Sequence, residues 1–336
     1  MVEVLLSGII AMVISLGAGP KFIEFLRRNE FGQQIREEGP QGHVVKQGTP
    51  TMGGLLIMIA MAFPFLIFSE HTVPALTAFS VALACAAIGF VDDWMKVSHR
   101  RSLGLPGRWK LVLLGAITLF VAIVVERGDF KTTIYLPLLN VDLPLSFGWY
   151  ILLFVIIAGA SNSVNLTDGL DGLASGTATI SIFTYTAITL VAYLVSQRQG
   201  NPDVEQLDLA ILGSALIGAS IGFLWYNAFP AQVFMGDTGS MGLGGALAAF
   251  AIMTKTEALL VLIGGIFVIE ALSVMLQVFT FKWLGRRVLL MAPLHHHFEM
   301  KAWSETRIMV RFWIAAAILC ACAFVLYYRY ASKFAT

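Results

Sequence analysis

Long apolar runs alternate with short polar segments along most of the chain. A membrane-spanning helix needs about 20 mostly apolar residues, and apolar runs of that order recur. They cover residues 4–20, 48–69, 72–91, 111–125, 143–167, 172–197, 209–236, 238–254, 258–281 and 312–328, the ninth interrupted by Glu270. Spanning strands would alternate apolar and polar residues, which these runs do not. The pattern predicts an all-α, polytopic membrane protein of about ten transmembrane helices, with residues 1–336 forming one domain.

Composition agrees with this pattern. Hydrophobic residues make up 57% of the chain and charged residues 13%, against about 25% charged in soluble domains. The 22 Lys and Arg nearly balance the 21 Asp and Glu, so no basic excess indicates a nucleic acid partner. Cys85, Cys320 and Cys322 lie in apolar runs and are interpreted as buried small hydrophobes.

The basic residues predict the orientation in the membrane. If the loops alternate sides, sixteen of the 22 Lys and Arg fall on one side, which the positive-inside rule makes cytoplasmic. Both termini are then extracytoplasmic, and five loops face the cytoplasm. On the opposite side, residues 126–146 alternate in polarity and contain Pro137 and Pro144, which predicts a short extracytoplasmic β-hairpin.

Acidic and amide residues gather on the predicted cytoplasmic side, where basic residues are the norm. The loops at residues 161–174 and 225–240 contain aspartates and asparagines and lack Lys and Arg altogether. Such a local departure from the rule is costly, so we interpret these loops as parts of a functional site.

Three aspartates are candidates for catalysis. Asp92 and Asp93 close an apolar helix, and successive helical residues point about 100° apart. One can serve a metal or a lysine while the other faces a reactant; the alternative is a solvated helix end. Asp237 lies between glycines in FMGDTGS. Alone it would usually be a helix cap, but beside the other two it is a candidate ligand for magnesium, which uses one or two carboxylates plus substrate phosphates.

The loop SNSVNLTDGLDGLA offers a set of hydrogen-bonding groups. Asn162, Asn165 and Asp168 are spaced three residues apart and share one face if the preceding helix continues. The glycines that follow let Asp171 turn back toward them. Two amides and two carboxylates suit a nucleobase, a sugar or support for magnesium, while capping between two spans is the alternative.

Aromatic, imidazole and amine groups complete the candidate site. Phe234 could stack on a base or simply pack in the core. The three consecutive histidines at residues 295–297 suit an anion site better than zinc, whose ligands are usually spaced to converge. Glu270 is either functional or paired with a neighbouring helix. Lysines at positions 46, 96 and 110 supply charge for phosphate, although the topology rule alone also explains basic loops.

The motifs KQGTPTMGG, GFVDD, NLTDGLDGLA, FMGDTGS and APLHHHFE resemble those of the phospho-N-acetylmuramoyl-pentapeptide transferases (translocase I). The resemblance runs from about the first cytoplasmic loop to the last span. The sequence is also similar, more broadly, to the polyprenyl-phosphate sugar-1-phosphate transferases, which share the paired aspartates and the Asn/Asp loop. The TPTMGG and PLHHH segments are specific to the muramoyl-pentapeptide branch.

This resemblance implies a reaction and its location. UDP-N-acetylmuramoyl-pentapeptide would give its phospho-sugar to undecaprenyl phosphate with Mg²⁺, forming lipid I and UMP in the first membrane step of peptidoglycan synthesis. The enzyme would lie in the bacterial cytoplasmic (inner) membrane among membrane lipids, with its active site on the cytoplasmic side. The oligomeric state stays open between a monomer and a homodimer, and the mechanism between one step and a covalent two-step route.

The resemblance also implies roles for individual residues. Asp92 would orient or deprotonate the lipid phosphate, Asp93 would help to position it, and Asp237 would bind magnesium across the pyrophosphate. The uridine would be surrounded by Asp168, Asp171, Asn227 and Phe234. The phosphate and sugar path would be lined by Lys46, Thr51, Lys96, Lys110, Asn162, Asn165 and Gln277, and the sugar–peptide end by His295, His296 and His297.

Two other functions compete with this one. A related transferase could use a UDP-N-acetylhexosamine instead, because loops are where specificity changes. An ion-coupled transporter would also contain intramembrane carboxylates, but near the membrane midplane and often in repeated halves. The acids here cluster at one face, which favours the transferase.

Overall fold

The computed structural model describes residues 1–32, 48–99, 103–128 and 130–330. Its helices and strands are α1 (Val2–Arg28), α2 (Gly54–Phe68), α3 (Val73–Ser98), α4 (Gly107–Arg127), β1 (Thr133–Leu136), β2 (Val141–Pro144), α5 (Phe147–Thr167), α6 (Leu173–Arg198), α7 (Val204–Asn227), α8 (Gly236–Met253), α9 (Glu257–Ile263), α10 (Gly265–Leu284), α11 (Leu294–Glu299) and α12 (Glu305–Arg329). Among these described helices, eight are long and apolar enough to cross a membrane. The chain is therefore a multi-pass membrane protein.

The predicted helical class and the β-hairpin are confirmed. The eight spanning helices are α1, α3, α4, α5, α6, α7, α10 and α12. The 15-residue α2 and the 18-residue α8 are shorter or more polar, so the count of about ten spans stays a prediction. The predicted span at residues 258–281 differs from the structure, because the helix is interrupted at Gly264 between α9 and α10.

Helix α8 forms the centre of the bundle. Its residues from Thr238 to Met253 are all buried, as expected for a helix that is apolar all round. Helices α3 and α5 pack against it along much of its length. Helices α1 and α7 form a parallel pair joined by hydrogen bonds from Ser7 Oγ to the Ile211 carbonyl at 2.8 Å and from Tyr226 to the Leu16 carbonyl at 2.6 Å.

The bundle has two chemically different ends. The strands β1 and β2 pair antiparallel at one end, which we call the hairpin face. Lys255 Nζ donates to the Lys131 carbonyl there at 2.7 Å, and the rings of Tyr330, just after α12, and Tyr135 lie 6.1 Å apart. We call the opposite end, which carries Asp92, Asp93 and Asp237, the acidic face. The N-terminal end of α1 and the C-terminal end of α12 both lie at the hairpin face, although the side of the membrane that each face occupies stays a prediction.

Two further features concern the apolar interior. A cavity of about 760 Å³ lies between α5, α9, α10 and the hairpin. Its described lining is apolar apart from Ser163 and Glu257. Glu257 is the one ionisable residue among these described lining residues. The expectation that the cysteines are buried holds for Cys85 and Cys320, whereas Cys322 is exposed on the outer surface of α12.

Candidate active site

Three carboxylates meet at the acidic face because α3 ends where α8 begins. Asp92 and Asp93 lie near the end of α3, and Asp237 is the second residue of α8. Each of the three offers an oxygen, and these atoms lie within 4.8 Å of one another. Asp92 and Asp93 are only 1% and 2% exposed. Such a cluster requires partners, because unpaired buried charge is costly.

Two lysines supply the compensating charge. Lys96 Nζ lies 2.5 Å from Asp92 Oδ2 and 2.9 Å from Asp237 Oδ1. Lys110 Nζ, from the first turn of α4, lies 2.9 Å from Asp92 Oδ1 and 2.7 Å from Asp237 Oδ2. Each ammonium group therefore bridges the same two carboxylates. The Leu105 amide also donates to Asp92 Oδ1 at 2.8 Å, which fixes the orientation of that carboxylate.

Asp93 has a different environment from Asp92, as their separation around the helix requires. Its carboxylate accepts hydrogen bonds from the amides of Asp237 at 3.1 Å and Thr238 at 2.9 Å, and from the Thr238 hydroxyl at 2.7 Å. It thus caps α8 from another helix. Gly236 precedes these amides with a φ of 73°, and a Cβ there would lie 2.6 Å from Asp93 Oδ2. Only glycine fits this close approach without strain.

The loop after α5 brings two more aspartates to the same end. Helix α5 continues through Asn162 and Asn165 and ends at Thr167, as the spacing predicts. The Asn162 amide nitrogen donates to the Ala158 carbonyl of its own helix at 2.7 Å. Burial, together with the carboxylates of Asp237, Asp93 and Asp171, raises the pKa of Asp168 well above its ordinary value.

Asp171 and Asn227 organise the loop that leads into α8. Asp171 Oδ2 accepts a hydrogen bond from the Ala231 amide at 3.0 Å. Asn227 accepts from the Ser175 hydroxyl at 2.7 Å and donates to the Val233 carbonyl at 3.0 Å. Both residues are buried, so in this structure their side chains join the loops at the acidic face to one another.

Phe234 and Thr51 lie where this loop meets the segment before α2. The Phe234 amide donates to the Pro50 carbonyl at 2.8 Å, and its carbonyl accepts from the Gly53 amide at 2.9 Å. Thr51 is buried, and its hydroxyl oxygen would lie 3.0 Å from a Cβ at Gly236, beside the carboxylate cluster. The candidate residue Lys46 lies outside the described residues.

The fifth loop contributes the histidines on the short helix α11. Gln277 of α10 braces the loop by donating to the Leu289 carbonyl at 2.9 Å and accepting from the amides of Val288 and Leu289 at 3.1 and 3.0 Å. His297 Nδ1 accepts from the Leu290 amide at 3.1 Å. His296 Nδ1 lies 2.5 Å from Glu299, and His295 Nδ1 lies 3.2 Å from Glu270.

The structure thus gathers the described candidates at one face but uses them differently. Asp92, Asp237, Lys96 and Lys110 form one charged group, whereas the side chains of Asn227, Asp171 and Gln277 are engaged with backbone groups. Sequence reasoning missed the Leu105 amide and the Thr238 hydroxyl as partners of the aspartates. The residue type of Leu105 carries no signal for such a contact, and a Thr next to Asp237 at a helix start indicates only a cap for its own helix.

The donor set fits a hard divalent cation. Magnesium is held by carboxylate oxygens and usually keeps sites for waters and phosphates. Asp92, Asp93 and Asp237 offer carboxylate oxygens within 4.8 Å of one another. Two ammonium groups neutralise Asp92 and Asp237, so a cation bound here would take over some of the contacts that the lysines make.

Comparison with known families places this helical membrane protein in the class of membrane-embedded transferases. Residues 75–255 match the family model described as glycosyl transferase family 4. This segment includes all three clustered aspartates and both bridging lysines.

Narrower matches identify the branch within this class. Residues 46–58 match the phospho-N-acetylmuramoyl-pentapeptide-transferase signature 1. The protein of that name from Rubrobacter xylanophilus is 44% identical over 335 residues, which cover 98% of each chain. The one from Bacillus pumilus is 46% identical over 320 residues, which cover 94% of this chain and 95% of the relative. The Bacillus subtilis protein of the same name is 44% identical over 320 residues. The chain belongs to the phospho-N-acetylmuramoyl-pentapeptide-transferase family.

Proposed function

We propose that this protein transfers phospho-N-acetylmuramoyl-pentapeptide from its UDP donor to undecaprenyl phosphate, forming lipid I and UMP. The observation that carries this proposal is the group of Asp92, Asp93, Asp237, Lys96 and Lys110 at one membrane face, in a chain of this family. An oxygen of the acceptor phosphate attacks the phosphorus attached to the sugar. The bridging P–O bond breaks, and its electron pair leaves with UMP.

The lysines act on the phosphates. Phosphoryl transfer needs positioning and charge stabilisation more than covalent chemistry from the protein. Lys96 and Lys110 are each partly exposed at the acidic face, and each already holds two anionic oxygens. When substrate phosphates arrive, these ammonium groups donate to them and draw the donor and acceptor phosphates together.

The aspartates hold the cation and the acceptor. Asp237 would bind Mg²⁺ with help from the neighbouring carboxylates, and the ion would neutralise charge on the pyrophosphate. Asp92 lies near the end of the long apolar helix α3, where we expect the phosphate of a lipid acceptor to reach the protein, so we assign it to the acceptor. Asp93 helps to position the cation and the acceptor by capping α8, the helix that carries Asp237.

The other candidate residues define the two ends of the donor site. Asp168, Asp171, Asn227 and Phe234 would surround the uridine, the last by stacking. Thr51, Asn162, Asn165, Gln277 and, outside the described residues, Lys46 would line the phosphate and sugar path, and His295, His296 and His297 the sugar–peptide end. The apolar cavity between α5 and α10 would receive part of the prenyl chain.

We further propose that residues 1–336 act as one domain in the bacterial inner membrane, with the acidic face toward the cytoplasm. The basic bias of the predicted cytoplasmic loops supports this orientation. A soluble nucleotide donor and a lipid acceptor can meet only at that membrane surface.

The test is a direct assay of purified protein in detergent with Mg²⁺, the UDP donor and undecaprenyl phosphate. We expect UMP release matched by a lipid-linked phosphosugar. UDP-N-acetylglucosamine as the donor should give neither product. Product from that donor alone would instead assign the related hexosamine activity.

A substitution at the cluster then tests the metal assignment. Asp237→Asn should remove nearly all turnover, because a phosphate clamp is worth several kcal/mol in the transition state. Asp203→Asn is the matched control, since Asp203 caps α7 at the hairpin face and Asn caps as well. More than about a tenth of the wild-type rate in Asp237→Asn, a loss under about 1.4 kcal/mol, would refute the assignment.

A further inference from the structure

Glu270 and His295 form a buried acid–imidazole pair between α10 and α11. Both side chains are 0% exposed. Glu270 Oε2 accepts a hydrogen bond from the Leu294 amide at 2.6 Å, and Oε1 accepts from the His295 amide at 3.2 Å. His295 Nδ1 lies 3.2 Å from the same Oε1. One carboxylate therefore organises both the start of α11 and the ring of its first histidine.

These contacts determine which ring nitrogen carries hydrogen. Glu270 already accepts from two backbone amides, so it acts as a hydrogen-bond acceptor toward the ring as well. Nδ1 of His295 must then be the donor. In a neutral imidazole the other nitrogen, Nε2, is left with a lone pair and no hydrogen.

That second nitrogen points at the loop of the candidate active site. A Cβ added to Gly169 would lie 2.3 Å from His295 Nε2, so the ring lies directly against the glycine that follows Asp168. Within the described part of the chain, Nε2 is buried and has no hydrogen-bond partner. A buried acceptor without a donor is costly, so Nε2 has an unused capacity to accept a hydrogen bond beside this loop.

We propose that Glu270 is a positioning residue that fixes His295 with Nε2 as an acceptor for an O–H or N–H of the sugar–peptide part of the donor substrate. This inference rests on the proposed function, and it deepens the assignment of His295 by making its Nε2 a hydrogen-bond acceptor rather than a donor. Glu270 does not touch the substrate. It acts by setting the tautomer and the orientation of the imidazole.

Two substitutions of His295 separate the two ring nitrogens. Asn places its amide nitrogen near the position of Nδ1 and can keep the hydrogen bond to Glu270, but it has no atom at Nε2. Gln is longer and can place its amide oxygen near Nε2. We expect His295→Asn to raise the KM for the UDP donor about tenfold or more, the cost of losing one such bond, with the KM for undecaprenyl phosphate unchanged. His295→Gln should recover most of this loss.

Glu270→Gln tests the positioning role itself. A Gln amide has one acceptor oxygen where the carboxylate has two, so it cannot accept from the Leu294 amide and from the His295 amide and ring together, and the imidazole is held less firmly. We expect the KM for the UDP donor to rise by a similar factor of about ten. Asp208→Asn is the matched control, because Asp208 is also fully buried and accepts from two amides, those of Glu70 and Thr72, without an imidazole. It should lower the melting temperature and leave the KM for the donor unchanged.

The outcomes are distinct. If wild-type protein makes no lipid product, the proposed function fails. If wild-type protein is active, equal donor KM values for His295→Asn and His295→Gln would overturn the inference. So would a Glu270→Gln variant whose only change is a lower melting temperature, as in Asp208→Asn. Each variant is first checked for a single detergent-solubilised species, and Glu270→Gln decides the matter if His295→Asn does not fold.

Discussion

Lys96 and Lys110 hold the same two carboxylates, and this sharing limits what each residue can do before substrate arrives. All four ammonium–carboxylate contacts lie between 2.5 and 2.9 Å. Asp92 is further fixed by the Leu105 amide. In this structure Asp92 and Asp237 are therefore neutralised by the two lysines, and neither is a free base. Binding of phosphate or of a cation would have to rearrange these contacts.

Asp92 allows a test of direct attack. If it orients or deprotonates the acceptor phosphate, Asp92→Asn should lose most of its activity at about pH 5.5, where that phosphate is largely monoanionic, and regain part of it by about pH 8. The reason is that the phosphate, with a second pKa of about 6, becomes dianionic without help. The measurement is a pH–rate profile of the variant against wild type.

The same residue could instead be a covalent nucleophile, and the results would then differ. A nucleophile variant would not recover at high pH. In addition, wild-type enzyme would release UMP stoichiometrically without undecaprenyl phosphate and retain a phosphosugar on an aspartate. Observation of that adduct would exclude direct attack.

Asp168 makes a prediction about stability. Its pKa is raised by burial and by nearby carboxylates, so its ionised form is disfavoured in the folded protein. Wild-type stability should therefore fall as the pH rises from the ordinary Asp range through this raised pKa. Asp168→Asn imitates the neutral form. The melting temperature of this variant minus that of wild type should therefore be larger at pH 8 than at pH 5. Thermal melting of both proteins in EDTA at pH 5 and pH 8 measures this. The same difference between variant and wild type at the two pH values would contradict the assigned direction of the pKa shift.

At the scale of elements, the start of α8 determines where Asp237 points. The cap comes from Asp93 of α3 rather than from a residue of its own segment. FMGDTGS predicts a helix start from its Asp, Thr and Ser, but a cap supplied by a distant helix has no local pattern. The sequence could therefore place the start of this helix but not identify its cap.

Gly236 provides the test of this junction. Gly236→Ala would put a Cβ 2.6 Å from Asp93 Oδ2 in a left-handed conformation, which costs about 1–2 kcal/mol before the clash is counted. We expect a lower melting temperature and a larger loss of turnover. Gly17→Ala in α1, where nothing lies within 4 Å of the added Cβ, should be neutral or stabilising. Equal behaviour of the two variants would show that the junction tolerates a side chain.

Other elements show why an apolar run predicts that a segment spans the membrane better than it predicts where the helix begins and ends. Residues 48–69 form one charge-free run, yet α2 begins only at Gly54, because the preceding segment bonds to the loop before α8. Residues 258–281 read as one span, yet the helix is interrupted at Gly264. Hydropathy records polarity, and it contains no information on where the backbone must leave a helix.

The site shows the same limit. Asp92 and Lys96 are four residues apart, so their pairing follows from helical spacing. The contact between Lys110 and Asp237 joins residues 127 positions apart and could be inferred only as a shared membrane face. The role of Gln277 as a brace for residues 288 and 289 depends on the path of the loop, which the sequence does not reveal.

At the scale of the molecule, the two faces correspond to two sides of a membrane. The hairpin, Lys131 and the turn at Glu70 lie at one end, since Glu70 bonds to Asp208 near the start of α7. His99, after α3, and Ser304, before α12, lie at the other end. Each of these four residues is exposed, so a cysteine placed there would be reachable from one side.

Single cysteines at these four positions should therefore label in two pairs. The background needs Cys322→Ser, because Cys322 is exposed whereas Cys85 and Cys320 are buried. An impermeant thiol reagent applied to spheroplasts should reach Glu70→Cys and Lys131→Cys. Only inside-out vesicles should expose His99→Cys and Ser304→Cys. The basic bias of the loops and the position of the carboxylate cluster motivate this orientation. Labelling of both pairs from one side would contradict the two-faced arrangement, and the reverse pattern would place the cluster out of reach of a cytoplasmic nucleotide and remove the basis of the proposed function.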